Sequence, residues 1–457
     1  MSIIRAIFSN TNNVSSYADA FQASDRTSTW MKTAIAAWFD LYFVQDKTED
    51  SDPCQQIPYT IVRKLTKAVF SEYQTTTKDA YAEMVLDSLN KKATDALQMA
   101  LIGGECLLKP IPTRTGWRWN VINRANVLVF GRDDDGRMTD IGTAESTVSD
   151  KHYYTLLERR TMDDRGYLTI QNKLYRSDMP GTLGQRVPLA TMLKYADLPE
   201  SYTFPQPIWS IGLVQFKTPM ANCVDGSADG VSVYAAAVEL IRNINRNEAQ
   251  INGEFERGES RIITSSDMLK RDKNGKHSFS DHLFVGLDDD PDTVGVTIFS
   301  PELREASFLA RKQEYLRNVE NVIGLKRGLL SEVEAVERTA KEITSSEGEY
   351  SLTVIDFQQM WEKVIAEALR LCGILGKLYK VPGAHEVSID AVAISWGNGV
   401  LYDEEKVYKE MKEQVSMNLL QPERLLGWYY DLPADTPAQR AKIRKDYMPE
   451  VAPEEDE

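Results

Sequence analysis

The chain has 457 residues, is 42% hydrophobic and 26% charged, and carries a formal net charge of -15 at pH 7. That length allows a sizeable core shared among about two to four domains. The acidic balance argues against a general nucleic-acid coat, which needs surface Lys and Arg to neutralise phosphates; it does not exclude a conduit, since a passage that lets a polyanion slide benefits from repulsion along most of its wall.

Cys54, Cys106, Cys223 and Cys372 lie far apart with no CxxC. Their spacing suggests neither a zinc site nor a disulfide framework, and a reducing compartment fits. The apolar run Thr33 to Val44 contains Asp40 and is too short to span a bilayer, and Ser2 to Asn10 has no signal core. The protein is therefore expected to be made and used in the cytoplasm.

Residues 1–27 are polar after a short apolar start and read as a flexible arm. Trp30 to Phe43 is an aromatic-rich helix, with Trp30, Ala34, Trp38 and Tyr42 at helical spacing. Pro58 opens a second helix carrying Ile61, Leu65 and Val69. A third, from about Asp79 to Ile102, stops at Gly103-Gly104. From Glu105 to Arg176 the period changes to two. Cys106 to Pro110, Gly116 to Ile122 and Val127 to Phe130 read as strands, with a turn at Asp133 to Gly136. A further hairpin, Tyr153 to Arg160 with Tyr167 to Tyr175, turns about Asp163 to Gly166. Pro199 to Lys217 is an irregular connection.

Asp229 or Gly230 is placed to cap a helix running to about Glu256, lined by Val233, Ala237, Leu240, Ile244, Ile251 and Phe255. Arg261 to Ser300 follows as an insertion of short strands. Glu302 to Ile323 is helical, with Leu309, Leu316, Val319 and Ile323 on one face. Gly324-Leu325-Lys326-Arg327-Gly328 then brackets two cations between glycines. A long helix begins near Arg338 and continues to Tyr379, with Ile343, Tyr350, Val354, Phe357, Trp361, Ile365 and Leu369 on one stripe and a kink expected at Gly348. At about 60 Å it outgrows an ordinary globular core and reads as a coiled coil, a repeat or a spoke in an assembly, so its apolar stripe is expected to need neighbours. Val387 to Trp396 alternates like a strand. Asp403 to Tyr447 forms short helices broken near Gln421-Pro422 and Leu432-Pro433, and Glu454 to Glu457 ends the chain as an acidic tail.

No GxxxxGK[ST], HExxH or GxSxG occurs, and Gly373 to Lys377 has the wrong spacing for a phosphate cradle. His152 and His385 are isolated; His277 and His282 share one insertion but read as surface residues rather than ligands. Asp133 to Asp135 and Asp288 to Asp292 are the acidic clusters a Mg²⁺-dependent nuclease would need, yet neither has EF-hand spacing and each sits at an expected turn. Lys326 and Arg327 read either as a solvated loop complementing a helix C-terminus or as a phosphate-facing loop tip. The stripe Tyr350, Phe357 and Trp361 reads as core or subunit packing.

The ordered set of stretches resembles the portal proteins (head-to-tail connectors) of tailed bacteriophages. It includes Ile57 to Lys64, Ala68 to Glu72, Asp225-Gly226-Ser227 with Gly230 to Tyr234, Glu254 to Gly258, Val322 to Leu325, Arg338 to Ile343, Trp361-Glu362, and Ile394 to Val400 with Asp403. The set covers most of residues 55–450, and no single motif carries it. The resemblance implies a mainly helical α+β, portal-like ring subunit. Its parts would be a flexible arm (1–27), a wing (28–228, with the β-rich block 105–176), a stem helix (229–257), a clip (258–300) and a second stem helix (301–323). A tunnel loop (324–337), a long kinked helix (338–380), a strand returning to the wing (381–401) and crown helices with the acidic tail (402–457) would follow.

It further implies a homo-oligomeric ring, usually of twelve subunits, at one capsid vertex of the virion. Double-stranded DNA passes through the channel during packaging and ejection. Partners would be the terminase large subunit, the major capsid and scaffolding proteins, and the head-completion or adaptor proteins, with no membrane. Lys326 and Arg327 would be the DNA-facing tunnel-loop residues. Neither catalysis nor a cofactor is implied, because the motor is a separate protein. The competing readings are a metal-dependent nucleic-acid-processing enzyme and an assembly scaffold that binds no DNA.

Overall fold

The computed structural model describes residues 17–43, 53–257, 261–265, 284–287, 297–299, 304–332, 340–396, 404–417, 419–430 and 432–448. The fold is α+β and mainly helical. It divides into two compact units, Met1–Ser395 and Trp396–Glu457.

The larger unit opens on a docked segment. Residues 17–21 form a helical turn whose Tyr17 and Phe21 enter a cluster with Leu128, Phe130, Leu157 and Leu183. Arg159 donates to the Phe21 carbonyl at 3.0 Å, and the Arg26 amide to the Val129 carbonyl at 2.7 Å. The expectation of a flexible arm therefore fails for residues 17–27: two aromatic anchors among the polar residues hold it to the sheet.

Helix α1 (Thr29–Tyr42) starts where the Ser28 hydroxyl accepts the Met31 amide hydrogen at 3.1 Å. It buries Met31, Ile35, Trp38 and Phe39, whereas Trp30 is 77% exposed, so the core face lies one residue away from the expected aromatic stripe. Helix α2 (Ile57–Phe70) has Pro58 in its first turn, where the missing N–H costs nothing. Strand β1 (Gln74–Thr77) follows. The single expected helix from Asp79 to Ile102 is two, α3 (Ala80–Asn90) and α4 (Ala93–Gly103). Asp79 caps α3 by accepting from the Tyr81 and Ala82 amides at 2.9 and 3.0 Å. The break at Lys91-Lys92 lets both Tyr81/Val85/Leu89 and Ala93/Leu97/Ala100 point into the core. Gly104 ends α4 in the left-handed conformation (φ +84°), as the sequence indicates.

Strands β2 (Glu105–Thr113) and β3 (Gly116–Asn123) form a hairpin, to which β10 (Val214–Lys217) adds on the β2 side. A second sheet runs β4 (Val127–Arg132), β5 (Met138–Ser149), β6 (His152–Met162), β7 (Leu168–Ser177), β8 (Gln185–Val187), with β9 (Ser201–Thr203) also paired to β7. The connection expected to be irregular from Pro199 to Lys217 thus supplies β9 and β10. The turn between β4 and β5 is held by Asp133, whose carboxylate accepts the Arg137 amide hydrogen at 2.7 Å. The turn between β6 and β7 is held in the same way by Asp163.

Glu158 on β6 is buried between Lys109 and Arg160, and Arg160 also donates to the Ile211 and Gly212 carbonyls at 3.0 and 3.1 Å. Burial alone would raise the Glu158 carboxyl; the two cations outweigh it and hold it down at about 2. A folded pKa below the ordinary carboxylate value means stabilisation present above about pH 4.5 and lost as pH falls through about 2. The loss between those limits should approach about 3 kcal/mol. In urea unfolding, Glu158→Gln should be far less stable than the parent at pH 7, and the gap should close by pH 2. A gap independent of pH would refute the ion pairing.

Helix α5 (Val238–Arg257) does not begin at Asp229. A 3₁₀ turn (Ala235–Ala237) leads into it, and residues 229–234 lie against the α4–β2 corner. Asp229 is drawn into a buried ion cluster instead of capping. Helix α6 (Glu305–Ile323) runs antiparallel to α5. Asn247 donates to the Phe308 carbonyl at 3.1 Å, Lys312 meets Glu248 at 2.7 Å, and Arg304 grips Glu254 through both of its oxygens at 2.9 and 3.0 Å. Between the two helices, β11 (Arg261–Ser265) pairs parallel with β12 (Phe284–Leu287) and antiparallel with β13 (Thr297–Phe299). On α6, Leu316, Val319 and Ile323 are buried as expected, but Leu309 is 45% exposed.

Helix α7 (Ala340–Tyr379) spans 40 residues and is continuous through Gly348. The expectation that its apolar stripe needs neighbouring subunits does not hold from Val354 onward. Val354, Phe357, Trp361, Ile365 and Leu369 are fully buried within this one chain. Trp361 packs edge-on against Phe70 and Phe216, with centroids 5.5 and 5.4 Å away, and donates its indole N–H to the Tyr73 hydroxyl at 3.0 Å. Burial pushes the Tyr73 and Tyr81 phenols up to about 12. The Tyr81 hydroxyl in turn donates to the Cys372 carbonyl at 2.7 Å and accepts from the Trp117 indole at 3.1 Å. Helices α2 and α3 and strand β10 supply the cover that sequence periodicity alone leaves to neighbours. The expected strand is short, β14 (Val392–Ser395), and pairs antiparallel with β1.

The smaller unit contains α8 (Glu404–Ser416), α9 (Pro422–Tyr429) and α10 (Pro437–Tyr447), broken where Pro422 and Pro433 predict. A capping box at Thr436 and Gln439 starts α10, and buried Glu423 receives Arg444. Among the described residues no helix is long and apolar enough to cross a membrane.

Candidate functional site

The two cations singled out by sequence occupy the turn that follows α6. Gly324 closes the helix in the left-handed conformation (φ +75°), and the Leu325 amide donates back to the Glu320 carbonyl at 2.8 Å. A tight turn then runs from Lys326 to Leu329, closed by the Leu329 amide on the Lys326 carbonyl at 3.1 Å. Gly328 sits at its third position with φ +94°, a conformation that a β-turn with a left-handed residue there reserves for glycine. Arg327 occupies the exposed corner and Lys326 is half-buried beside it. Each makes a contact of its own within the chain.

The residue that organises this turn is Glu320, 1% exposed in the last full turn of α6. One carboxylate oxygen accepts the amide hydrogens of Gly328 (3.1 Å), Leu330 and Ser331 (2.9 Å); the other accepts the Ser331 hydroxyl at 2.7 Å. A carboxylate at a helix C-terminus meets the negative end of the dipole. Here the returning backbone supplies the compensating N–H groups. The same segment is tied from outside by the Lys64 ammonium on the Leu329 carbonyl, by the Gln313 side chain accepting the Glu332 amide hydrogen at 2.8 Å, and by the Thr353 hydroxyl on the Gly324 carbonyl at 3.3 Å.

In sequence Glu320 is one charged residue of a helix whose expected buried face is Leu309, Leu316, Val319 and Ile323. Its position gives the missing signal. It lies four residues after Leu316 and beside Val319, on the buried face, and four residues before a glycine turn. A lone carboxylate there needs donors, and the nearest unpaired donors are the amides of the turn.

Among the described residues, the others weighed for chemistry are not assembled into a centre. Asp133 serves its turn, His152 meets Asp178 at 2.7 Å, and His385 bridges the Gly383 carbonyl (2.8 Å) and Asp79 (2.7 Å). His277, His282 and Asp288 to Asp292 lie outside the described residues, as does the remainder of the expected loop, 333–337. Among the described residues no group of three His, Cys, Asp or Glu side chains is arranged to hold a metal ion. Cys106 and Cys372 are buried with thiols pushed up by desolvation, which makes them poor nucleophiles.

No protein-family model matches the chain, and no curated protein matches it. Among solved structures it is similar to a chain in the neck of an empty GTA particle computed with C6 symmetry, at 12% identity over 86% of this chain and 95% of that one, with a TM-score of 0.45. It is also similar to a chain in the neck of a native GTA particle computed with C12 symmetry, at 12% identity over 92% of this chain and 99% of that one, with a TM-score of 0.43.

Proposed function

We propose that the chain is a portal subunit of a tailed bacteriophage: one copy of a ring at a capsid vertex through which genomic DNA is packaged and later ejected, and to which head-completion proteins attach. The observation that carries this reading is the path from α5 to α7. An antiparallel helix pair joined through a small sheet returns to a turn bearing Lys326 and Arg327, and a 40-residue helix follows. That is the order of stem, clip, stem, tunnel loop and long helix that the sequence resemblance implies. The reading no longer rests on a helix in need of cover, since α7 is covered from Val354 onward by its own chain.

In a ring, one pair of cations per subunit becomes a belt of charge. Such a belt holds phosphates weakly, while the acidic remainder of the chain keeps the duplex mobile. The expected partners are further copies of this chain, double-stranded DNA, the terminase large subunit, capsid and scaffolding proteins, and adaptors. No catalytic step is assigned to this chain.

Light scattering and class-averaged electron micrographs of the purified protein should show a closed ring viewed down its axis. Compact single molecules under all conditions, including within assembling heads, would refute the reading. Lys326→Ala with Arg327→Ala should leave the ring intact and lower its affinity for duplex DNA, by about tenfold for each phosphate no longer neutralised at ~0.1 M salt, with a shallower salt dependence. Unchanged affinity would remove the two cations from the DNA path.

A further inference from the structure

We infer that Glu320 is a positioning residue for DNA contact: its buried carboxylate holds the 324–331 turn in the one shape that presents Lys326 and Arg327 together. The inference rests on the portal reading and names the residue through which the proposed cation belt acts.

The geometry is specific. Two side-chain cations on adjacent residues reach the same phosphate backbone at the lowest entropic cost when the backbone beneath them is already fixed. Unrestrained, such a turn samples many conformations, and ordering it on contact with DNA would consume binding free energy. Four donors from Gly328, Leu330 and Ser331 converge on Glu320, and these hydrogen bonds are charge-assisted. They fix the residues just after Lys326 and Arg327. Gly324 and the Leu325 amide fix the residues just before them. The turn is thus anchored on both sides, and both anchors belong to the end of one helix. Glu320 itself is buried, so it makes no contact with DNA; its effect passes through the turn.

The conservative change tests geometry apart from charge. In Glu320→Gln the amide oxygen accepts the backbone N–H groups and the amide nitrogen donates to the Ser331 hydroxyl, so the turn keeps its shape with weaker bonds. In Glu320→Ala all four donors lose their acceptor.

The experiment uses the full-length assembled protein with a blunt duplex DNA fragment as probe, and follows two readouts. Hydrogen exchange at the Gly328, Leu330 and Ser331 amides reports the turn. The salt dependence of duplex affinity reports the cations. Glu320→Ala is expected to raise exchange at those amides tenfold or more. It should weaken duplex binding as far as Lys326→Ala/Arg327→Ala does, and add nothing when combined with that pair. Glu320→Gln should recover most of both. Gly328→Ala, which strains the turn without touching α6, should lower affinity in the same way and serves if Glu320→Ala does not fold.

Faster exchange with unchanged affinity and salt slope would overturn the inference, leaving Glu320 a purely structural residue. So would losses that simply add to those of the cation pair. Failure of the portal reading looks different: the parent protein and the cation-pair variant alike would not bind duplex, whatever the exchange at the turn, and the inference would fall with it.

Discussion

Replacing Arg124 by Ala is expected to destabilise the protein by about 3–5 kcal/mol, the cost of breaking a buried ion network by removing one partner. Arg124 stands in the 3₁₀ turn between β3 and β4 and is 1% exposed. Its guanidinium donates to the Val127 carbonyl at 2.7 Å, the Thr27 hydroxyl at 2.9 Å and Asp229 at 3.1 Å. Its Nε lies 2.9 Å from a Glu105 oxygen, as a charge contact without hydrogen-bond alignment. Arg132 completes the cluster at 2.5 Å from Asp229. Burial opposes the charged guanidinium, but Glu105, Asp229 and Asp25 outweigh it and raise its pKa. Burial likewise opposes the Asp229 carboxylate, and Arg124 with Arg132 lower it. Without Arg124, two buried carboxylates would share the single cation of Arg132. Arg124→Lys should fall between parent and Ala, since an ammonium keeps the charge but not the planar fork. Urea unfolding at pH 7 measures the difference, which should persist at high salt because the charges are buried. A cost under about 1 kcal/mol would show that the cluster is not holding these segments together.

This cluster marks the boundary of what sequence could disclose. Each member has an ordinary local reading: Glu105 opens a strand, Arg124 lies in a turn, and Asp229 precedes a helix in cap position. Their pairing joins residues far apart in the chain, and no periodicity records that. The same limit explains the late start of α5. A cap needs only one acceptor, but two arginines bind the Asp229 carboxylate more strongly than an amide does. Local signals fared better. Gly104, Gly324, Pro58, Pro422 and the Asp133 and Asp163 turns stand where the sequence places them, because each depends on backbone sterics within a few residues. The long helix was legible in extent but not in environment: its stripe says that one face is buried and is silent on whose atoms bury it. At the candidate site the cations could be found from their bracketing glycines, whereas Glu320 appears only once a charged residue on a buried face is taken as a demand for donors.

The second large effect is expected at Gly230, where a single added methyl group should prevent normal folding. Gly104 and Gly230 meet backbone to backbone. A Cβ built on Gly230 would lie 2.3 Å from the Gly104 carbonyl oxygen and 3.1 Å from the Glu105 Cβ; one built on Gly104 would lie 2.3 Å from the Gly230 carbonyl and 2.4 Å from the Val231 nitrogen. Neither obstacle is the end of a flexible side chain, so relief requires the α4–β2 corner and the 229–233 segment to separate. Hydrogen bonds resist that. The Val233 amide and the Ser232 hydroxyl both donate to the Leu101 carbonyl, at 3.0 and 2.9 Å; the Thr218 amide donates to the Gly104 carbonyl at 2.9 Å and its hydroxyl to the Val231 carbonyl at 2.8 Å. Separation would also pull Asp229 away from Arg124 and Arg132. Gly230→Ala should therefore cost about 4 kcal/mol or more, in the range where a single change is diagnostic of steric exclusion, and should yield little soluble protein. Gly226→Ala is the control. Gly226, unlike Gly230, has a positive φ, of +70°, and nothing lies within 4 Å of its Cβ position, so only the conformational cost of about 1 kcal/mol applies. Thermal melting of the two variants beside the parent separates the terms. Equal melting temperatures for Gly226→Ala and Gly230→Ala would mean that the contact yields, and the crossing of these two backbone segments would lose its place as the rigid joint from which α5 departs.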